Sequence, residues 1–482
     1  MTLPTITLVL LPLITGFGIY LLPKLDRCLA LGVTLLSFGF AMQRLFDSSP
    51  LTLELLGHFG VTLLVDHLSA FFILTNALVT LAVILYCWPS EKTTFFYAQI
   101  VIVHSSVNAA FICADFISLY VALEVISIAV FLLIAYPRTD RSIWIGLRYL
   151  FVSNTAMLFY LVGAALVYQA NHSFAFTGLR GAPPEALALI FLGLLTKGGV
   201  FISGLWLPLT HSESETPVSA LLSGVVIKAG VFPLLRLAMM LDEMDPIVRV
   251  FGVGTALLGV GYAVFEKDTK RMLAFHTLSQ MGFVLAAPEV GGFYALTHGF
   301  VKSALFLAAG NLPSRNFKEL RQQPIPRTVW IALSIASFSI SGFPLLAGFG
   351  AKILTMKNLM PWQVIGMNLA ALGTAVSFAK FIFLPHRKKQ RGGVSTKAVA
   401  PGFRPAMFLL LGGLFAANVV YYEAYAPSNI LKPLVTIGLG WLTYYFIFKR
   451  QLFKPPRFLE QLEQLIGMMS LMLIALFWMA LA

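Results

Sequence analysis

Apolar runs of about 18–22 residues recur from one end of the chain to the other, each long enough to cross a ~30 Å hydrocarbon layer as a helix. The pattern predicts sixteen such spans: 4–22, 27–43, 68–87, 95–114, 116–136, 149–168, 186–207, 217–240, 250–265, 272–288, 291–312, 328–356, 362–385, 405–422, 430–448 and 462–482. Polar residues collect between the runs and do not alternate within them, which excludes the ~10-residue alternating strands of a membrane barrel. The first run, TLPTITLVLLPLITGFGIYLLP, has no basic leader and no small-residue cleavage site, so it reads as a retained span and not a signal peptide. The expected fold class is an all-α polytopic membrane protein.

Composition agrees: 58% of the 482 residues are hydrophobic and 11% charged, too few polar groups to clothe a soluble domain of this size. The net charge of +13 would suit nucleic acid, but its distribution says otherwise. Of 34 Lys and Arg, 23 follow odd-numbered spans, including Arg138, Arg141 and Arg148, then Arg315, Lys318, Arg321 and Arg327, and the cluster Arg387, Lys388, Lys389 and Arg391. Six (Arg44, Arg180, Arg236, Arg249, Lys357, Lys432) lie near the other face. Positive loops face the cytoplasm, so both termini are expected outside it, with membrane lipid and not nucleic acid as the surrounding partner. Cys28, Cys87 and Cys113 are too scattered for disulfides or iron–sulfur ligation. With no phosphate-binding loop either, no cofactor is expected, and the sequence leaves any metal site unknown.

Five lysines remain inside spans: Lys197, Lys228, Lys302, Lys352 and Lys380, with Glu124 in mid-span as well. Each costs at least ~2.5–3.5 kcal/mol at depth on insertion scales. Lys352 and Lys380 lie within two turns of span ends, where a lysine can snorkel to the headgroups; Lys197, Lys228, Lys302 and Glu124 are deeper. The lysines also repeat. Lys197 and Lys228 stand on the seventh and eighth spans, Lys352 and Lys380 on the twelfth and thirteenth. Spans 4–8 and 9–13 therefore read as two five-helix repeats, inverted because five is odd, an architecture of transporters. Domain limits follow: three N-terminal spans in 1–94, the first repeat in 95–240, the second in 247–385, and C-terminal helices in 386–482. The fourth helix of each repeat carries helix breakers: Gly198-Gly199 with Pro208 in one, and SGFPLLAGFGAK, ending at Lys352, in the other. Backbone freed by a break must be satisfied by protein or by water in a cavity, as a hydrated half-channel provides.

A lysine out of water holds its proton less firmly, and a nearby carboxylate restores the hold. Glu124 and Lys197 are thus expected to form a switchable proton carrier. Relay groups are sought among HTLSQMG, with His276, and ALTHGFVKSALFLAAG, where His298 and Lys302 share a helical face. A lone buried His is most often structural, and His276 is read so; a metal at His298 would need a carboxylate or second His.

These residues resemble a known family, the antiporter-like membrane subunits of Mrp-type cation/proton antiporters, complex I and membrane-bound hydrogenases, and most of all the D-type member of the Mrp complex. The matching motifs are LWLPLTHSESETPVSALLSGVVIKAG (205–230), KDTKRMLAFHTLSQMGFVL (267–285), LTHGFVKSALFLAAGNL (296–312), SGFPLLAGFGAK (341–352), DFISLYVALEVISIAVFLL (115–133) and VDHLSAFFIL (65–74). The resemblance implies about fourteen core helices, with the seventh and twelfth broken, and a central polar axis. It assigns the fifth-helix carboxylate to Glu124, the seventh-helix lysine to Lys197, the connecting lysine to Lys228 and the terminal lysine to Lys352. Lys380, His276, His298, Lys302 and His211 are left as relay candidates. Two features depart from the pattern. Leu209, Thr210 and His211, then Glu213 and Glu215, follow the WLP tripeptide where an acidic residue and histidine are usual. About two apolar segments also continue past the fourteen-helix core. The implied function is proton translocation, coupled to Na⁺ or a similar cation, beside other membrane subunits in a bacterial inner membrane. The alternative is the same module in an NAD(P)H- or ferredoxin-quinone oxidoreductase, in which this chain would be no enzyme by itself.

Overall fold

The computed structural model describes residues 2–47, 49–55, 60–387, 399–449 and 456–481. Lys388, Lys389 and Arg391 of the basic cluster lie outside them. All sixteen predicted segments hold helix, and among the described residues eleven helices are long and apolar enough to cross a membrane by length and composition. The tenth (Thr269–Ala286) and eleventh (Gly291–Ala309) fall short in apolarity for a physical reason: every one of their residues is buried by other helices, so lipid never sees them. The sixth is longer than its apolar run, 32 residues over Asp140–Asn171, because Thr139 and Ser142 form a capping box and His172 closes the far end in the left-handed conformation. Arg141 and Arg148, expected in a loop, therefore ride on its first turns.

Among the described residues, three spans are interrupted in mid-course. The seventh runs Pro184–Lys197, then a tight turn of 3-10 helix at Phe201–Trp206, then Leu207–Glu213. The twelfth stops at Ser341 and resumes at Ala347. The eighth, which the sequence pattern predicts unbroken, widens into a π-helical turn at Leu222–Val226 just ahead of Lys228.

Loop contacts check the alternation of the spans. Loops after odd spans bond to one another: Lys92 to Glu215, Arg141 and Arg315 to Glu213, Arg315 to Asp268, and strand Ile325–Pro326 parallel to His386–Arg387. Loops after even spans do the same. There the chain forms an antiparallel hairpin, Leu51–Glu54/Thr62–Val65, a small β element that the apolar pattern does not foretell, and Thr62 N–H donates to the Asp115 carboxylate at 2.9 Å. Arg249 joins Asp245, Glu289 and the Asn358 carbonyl on the same side. Among the described residues these two sets of loop contacts stay separate.

The C-terminal helices pack on opposite repeats. Pro427–Phe448 lies against the thirteenth helix, and Leu462–Leu481 against the seventh and its break. Where the chain arrives at the last helix, the Glu460 carboxylate pairs with Arg271 at 2.6 Å, and its carbonyl accepts from Arg148.

Candidate functional site

The first half of the seventh helix ends at Lys197, and Gly198 and Gly199 turn the chain, Gly199 with φ +60°. The turn lies against the eighth helix at Gly230, where a Cβ would stand 2.3 Å from Gly198 N; only glycine admits the approach. Lys197 is buried, not snorkelled. Its ammonium donates to the Leu123 carbonyl (3.1 Å), to Ser153 Oγ (2.6 Å) and to Ser127 Oγ. The expected partner Glu124 lies on the same stretch of the fifth helix, but no ion pair joins the two within 4.0 Å. Glu124 is half-buried, and its Oε1 has no hydrogen-bond partner among the described residues. Among the described residues, Lys197 is the cation whose charge acts on it. Ser127 and Ser153 were not among the predicted site residues; their signal was a hydroxyl one turn from Glu124 and another on the next helix, too common a pattern to single out.

The π-helical turn serves Lys228. Widening the eighth helix there turns carbonyls out of their regular bonds, and Lys228, fully buried, donates to Gly224 O and lies 3.5 Å from Ser223 O. Its Nζ also lies 3.3 Å from His298 Nδ1. One turn along the eleventh helix, buried Lys302 donates to Leu273 O, which also accepts from Thr277 Oγ1 at 3.1 Å. Thr277 meets Ser223 at 2.6 Å. His298 thus touches Lys228 and, one turn along the eleventh helix, shares a face with Lys302, as the i, i+4 spacing of those two implied. His276, read as structural, is buried with both ring nitrogens unpartnered among the described residues, facing Phe378 and in the combined field of Lys302, Lys380 and Lys352. His211 is likewise buried and unpartnered among them, with Lys302 its cationic neighbour.

In the second repeat the chain breaks at Gly342 (φ +86°) and Leu345 (φ +77°). Lys352, on the helix that resumes beyond, is buried with no hydrogen-bond partner among the described residues and has its ammonium 5.4 Å from the Phe283 ring centre. Lys380 is buried too, but its ammonium donates to the carbonyls of Ala263 (3.2 Å), Val264 (2.7 Å) and Glu266 (2.9 Å), which end the ninth helix. That geometry makes it a helix C-cap, satisfied at three bonds.

The family described as NADH:quinone oxidoreductase/Mrp antiporter, TM matches residues 113–377, more than half of the chain. The chain belongs to that family. Among curated relatives, the N-type subunit of the NADH-quinone oxidoreductase of Desulforudis audaxviator is 27% identical over 425 residues, covering 79% of this chain and 81% of its own. The D-type subunit of the Na(+)/H(+) antiporter of Alkalihalophilus pseudofirmus is 24% identical over 481 residues, covering 89% of this chain and 97% of its own. Of solved structures, a chain of the Mrp complex from Dietzia sp. DQ12-45-1b shares the fold with a TM-score of 0.74 at 20% identity, over 97% of this chain and all of that one. A chain of an archaeal membrane-bound sulfane sulfur reductase gives 0.77 at 21%, over 91% and 98%. The matched region holds Glu124, Lys197, Lys228, His298, Lys302 and Lys352, while buried Lys380 falls just outside it. Both C-terminal helices lie beyond it.

Proposed function

We propose that this chain is the proton-translocating membrane subunit of a multisubunit Na⁺/H⁺ antiporter of the Mrp D type, working beside other membrane subunits. One observation carries the reading: Lys197 is buried at a helix break and held by two serine hydroxyls and a carbonyl, beside a carboxylate with an unpartnered oxygen. Hydroxyl groups both donate and accept, so they satisfy an ammonium and a neutral amine equally well. A lysine in such a seat loses and regains a proton without stranding a buried polar group. Lys228, His298 and Lys302 continue the route, and Lys352 at the second break ends it. The 95–240 and 247–385 units are the two halves of the path. We place the chain in a bacterial inner membrane, and the charge bias favours both termini outside the cytoplasm.

Replacing Glu124 or Lys197 by Ala is expected to abolish cation-dependent proton movement in vesicles containing the whole complex, and Lys352→Ala to impair it. Native exchange in both of the first two variants defeats the pair mechanism and leaves a scaffold role. A second reading has its own support, since several relatives 27–29% identical are named NAD(P)H-quinone oxidoreductase chains. In that assembly the chain would still move protons, driven by a partner's redox chemistry. Identifying the subunits that co-purify in mild detergent separates the two.

A further inference from the structure

The proposed proton route leaves its inlet unassigned, and Leu209, Thr210 and His211 follow the WLP tripeptide where the family resemblance implies an acidic residue and histidine. The structure holds a cavity of about 430 Å³ on the face where loops after the third, seventh, ninth and thirteenth spans meet. Tyr86, Lys92, Glu215, Thr216, Lys270 and Pro401 line it. Lys92 Nζ pairs with both Glu215 oxygens at 2.6 and 2.8 Å, its ammonium also 4.6 Å from the Tyr136 ring centre. Lys270, also on the lining, is only 8% exposed, yet no carboxylate stands within ion-pair distance of it among the described residues. Its ammonium has three donors and two acceptors, Ser214 O at 2.9 Å and Ser219 Oγ at 3.5 Å.

Below Lys270 the tenth helix presents a ladder. Positions 270, 273 and 277 share one helical face. The Leu273 carbonyl accepts from Lys302 and Thr277, and Thr277 bonds Ser223, whose carbonyl is 3.5 Å from Lys228 Nζ. A cavity lined by an ion pair and a buried lysine therefore lies one helical turn from the Leu273 carbonyl, where the polar row toward Lys302 and Lys228 begins.

We propose that this cavity is the proton inlet: Lys270 gives its ammonium proton up along the tenth helix toward Lys302 and Lys228, and the neutral amine left behind is reprotonated by Glu215, which draws its own proton from water on the basic face and lets go of Lys92 while it is neutral. The inference rests on the proton-transfer reading above. A mere loop clip between Lys92 and Glu215 would tolerate glutamine, which still accepts a hydrogen bond. An inlet would not.

The test uses vesicles containing the whole complex. E215Q and K270M are each expected to lower cation-dependent proton flux about tenfold or more, in keeping with the ~10²–10⁴ that a positioned proton carrier contributes. E215D is expected to keep most of the flux. As an independent arm, T216C in a chain with Cys28, Cys87 and Cys113 replaced is expected to let a charged, impermeant thiol reagent block flux from the basic face only. Native flux in E215Q and K270M, or T216C flux indifferent to reagent on that face, overturns the inlet. K197A separates the two claims: if it stops transport while E215Q and K270M run normally, only the inlet falls; if K197A also runs normally, the route itself is wrong.

Discussion

Lys197 shows how a charge is kept at depth without a permanent counter-ion. An ion pair with Glu124 would lock both groups in their charged forms, because removing either partner of a buried pair costs about 3–5 kcal/mol. Two hydroxyls and a carbonyl carry no such lock, and no ion pair within 4.0 Å joins Glu124 to Lys197. Asp66 is the contrast. It caps the third helix by accepting from Ser69 N–H at 2.9 Å and takes both nitrogens of the Arg236 fork. Burial alone would raise its carboxyl, but the Arg236 guanidinium and the Ser69 amide more than offset that and hold it below the usual carboxylate range. Its folded value being depressed, the stability it contributes is complete above the unfolded value of ~3.9 and is lost as pH falls through the folded one. Thermal unfolding of the solubilised chain between about pH 6 and pH 3 should therefore show an acid-side loss of midpoint that Asp66→Asn flattens. An unchanged acid limb in that variant would show the pair to be idle.

At the scale of elements, the breaks are the costly features, and they are compensated locally. Gly199 sits at φ +60°, and Phe201, two residues on, at +52°. A non-glycine residue in the left-handed region costs about 1–3 kcal/mol and persists only where its surroundings insist. At position 199 a Cβ would also stand 2.3 Å from Leu207 Cδ1 and 2.8 Å from Ile227 Cδ1. Gly199→Ala is thus expected to destabilise by about 1–3 kcal/mol, read as a lower thermal midpoint of the complex. A midpoint equal to the parent's would mean that the turn relaxes freely and is not held by the packing. The sequence announced both breaks, since paired glycines and a Pro-Gly cluster inside apolar runs have few other uses. It did not announce the π-helical turn of the eighth helix, because Leu-Ser-Gly-Val-Val fits an ordinary helix and the partners of that turn, Lys228, Thr277 and Ser303, come together only in the fold.

For the whole molecule, the unexpected device is the C-terminal crossing. One of the last two helices lies on the second repeat and the other on the first, and Glu460 fixes the crossing by pairing with Arg271 of the tenth helix while Arg148 of the sixth donates to its carbonyl. Both side chains of the pair are 8% exposed. Glu460→Ala is expected to cost about 3–5 kcal/mol of docking through the uncompensated Arg271, partly recovered by Glu266 at 3.2 Å. The check is limited proteolysis in membranes: cleavage near residue 456 should speed up while the core stays intact, and an unchanged pattern would assign docking to the apolar face of the helix alone.

The sequence by itself determined the class, the sixteen segments, the alternation of loop charge, the two breaks and the five lysines within spans, though not buried Lys270, which reads as a loop charge, because lipid imposes a uniform rule that any polar residue within a span visibly violates. The tertiary structure alone decided what each lysine touches: serines for Lys197, a π-turn carbonyl and His298 for Lys228, the end of the ninth helix for Lys380. Those choices depend on how helices far apart in the chain are rotated and set in depth against one another. Apolar periodicity is nearly silent on that inside a membrane protein, where helices such as the tenth and eleventh are buried on every side.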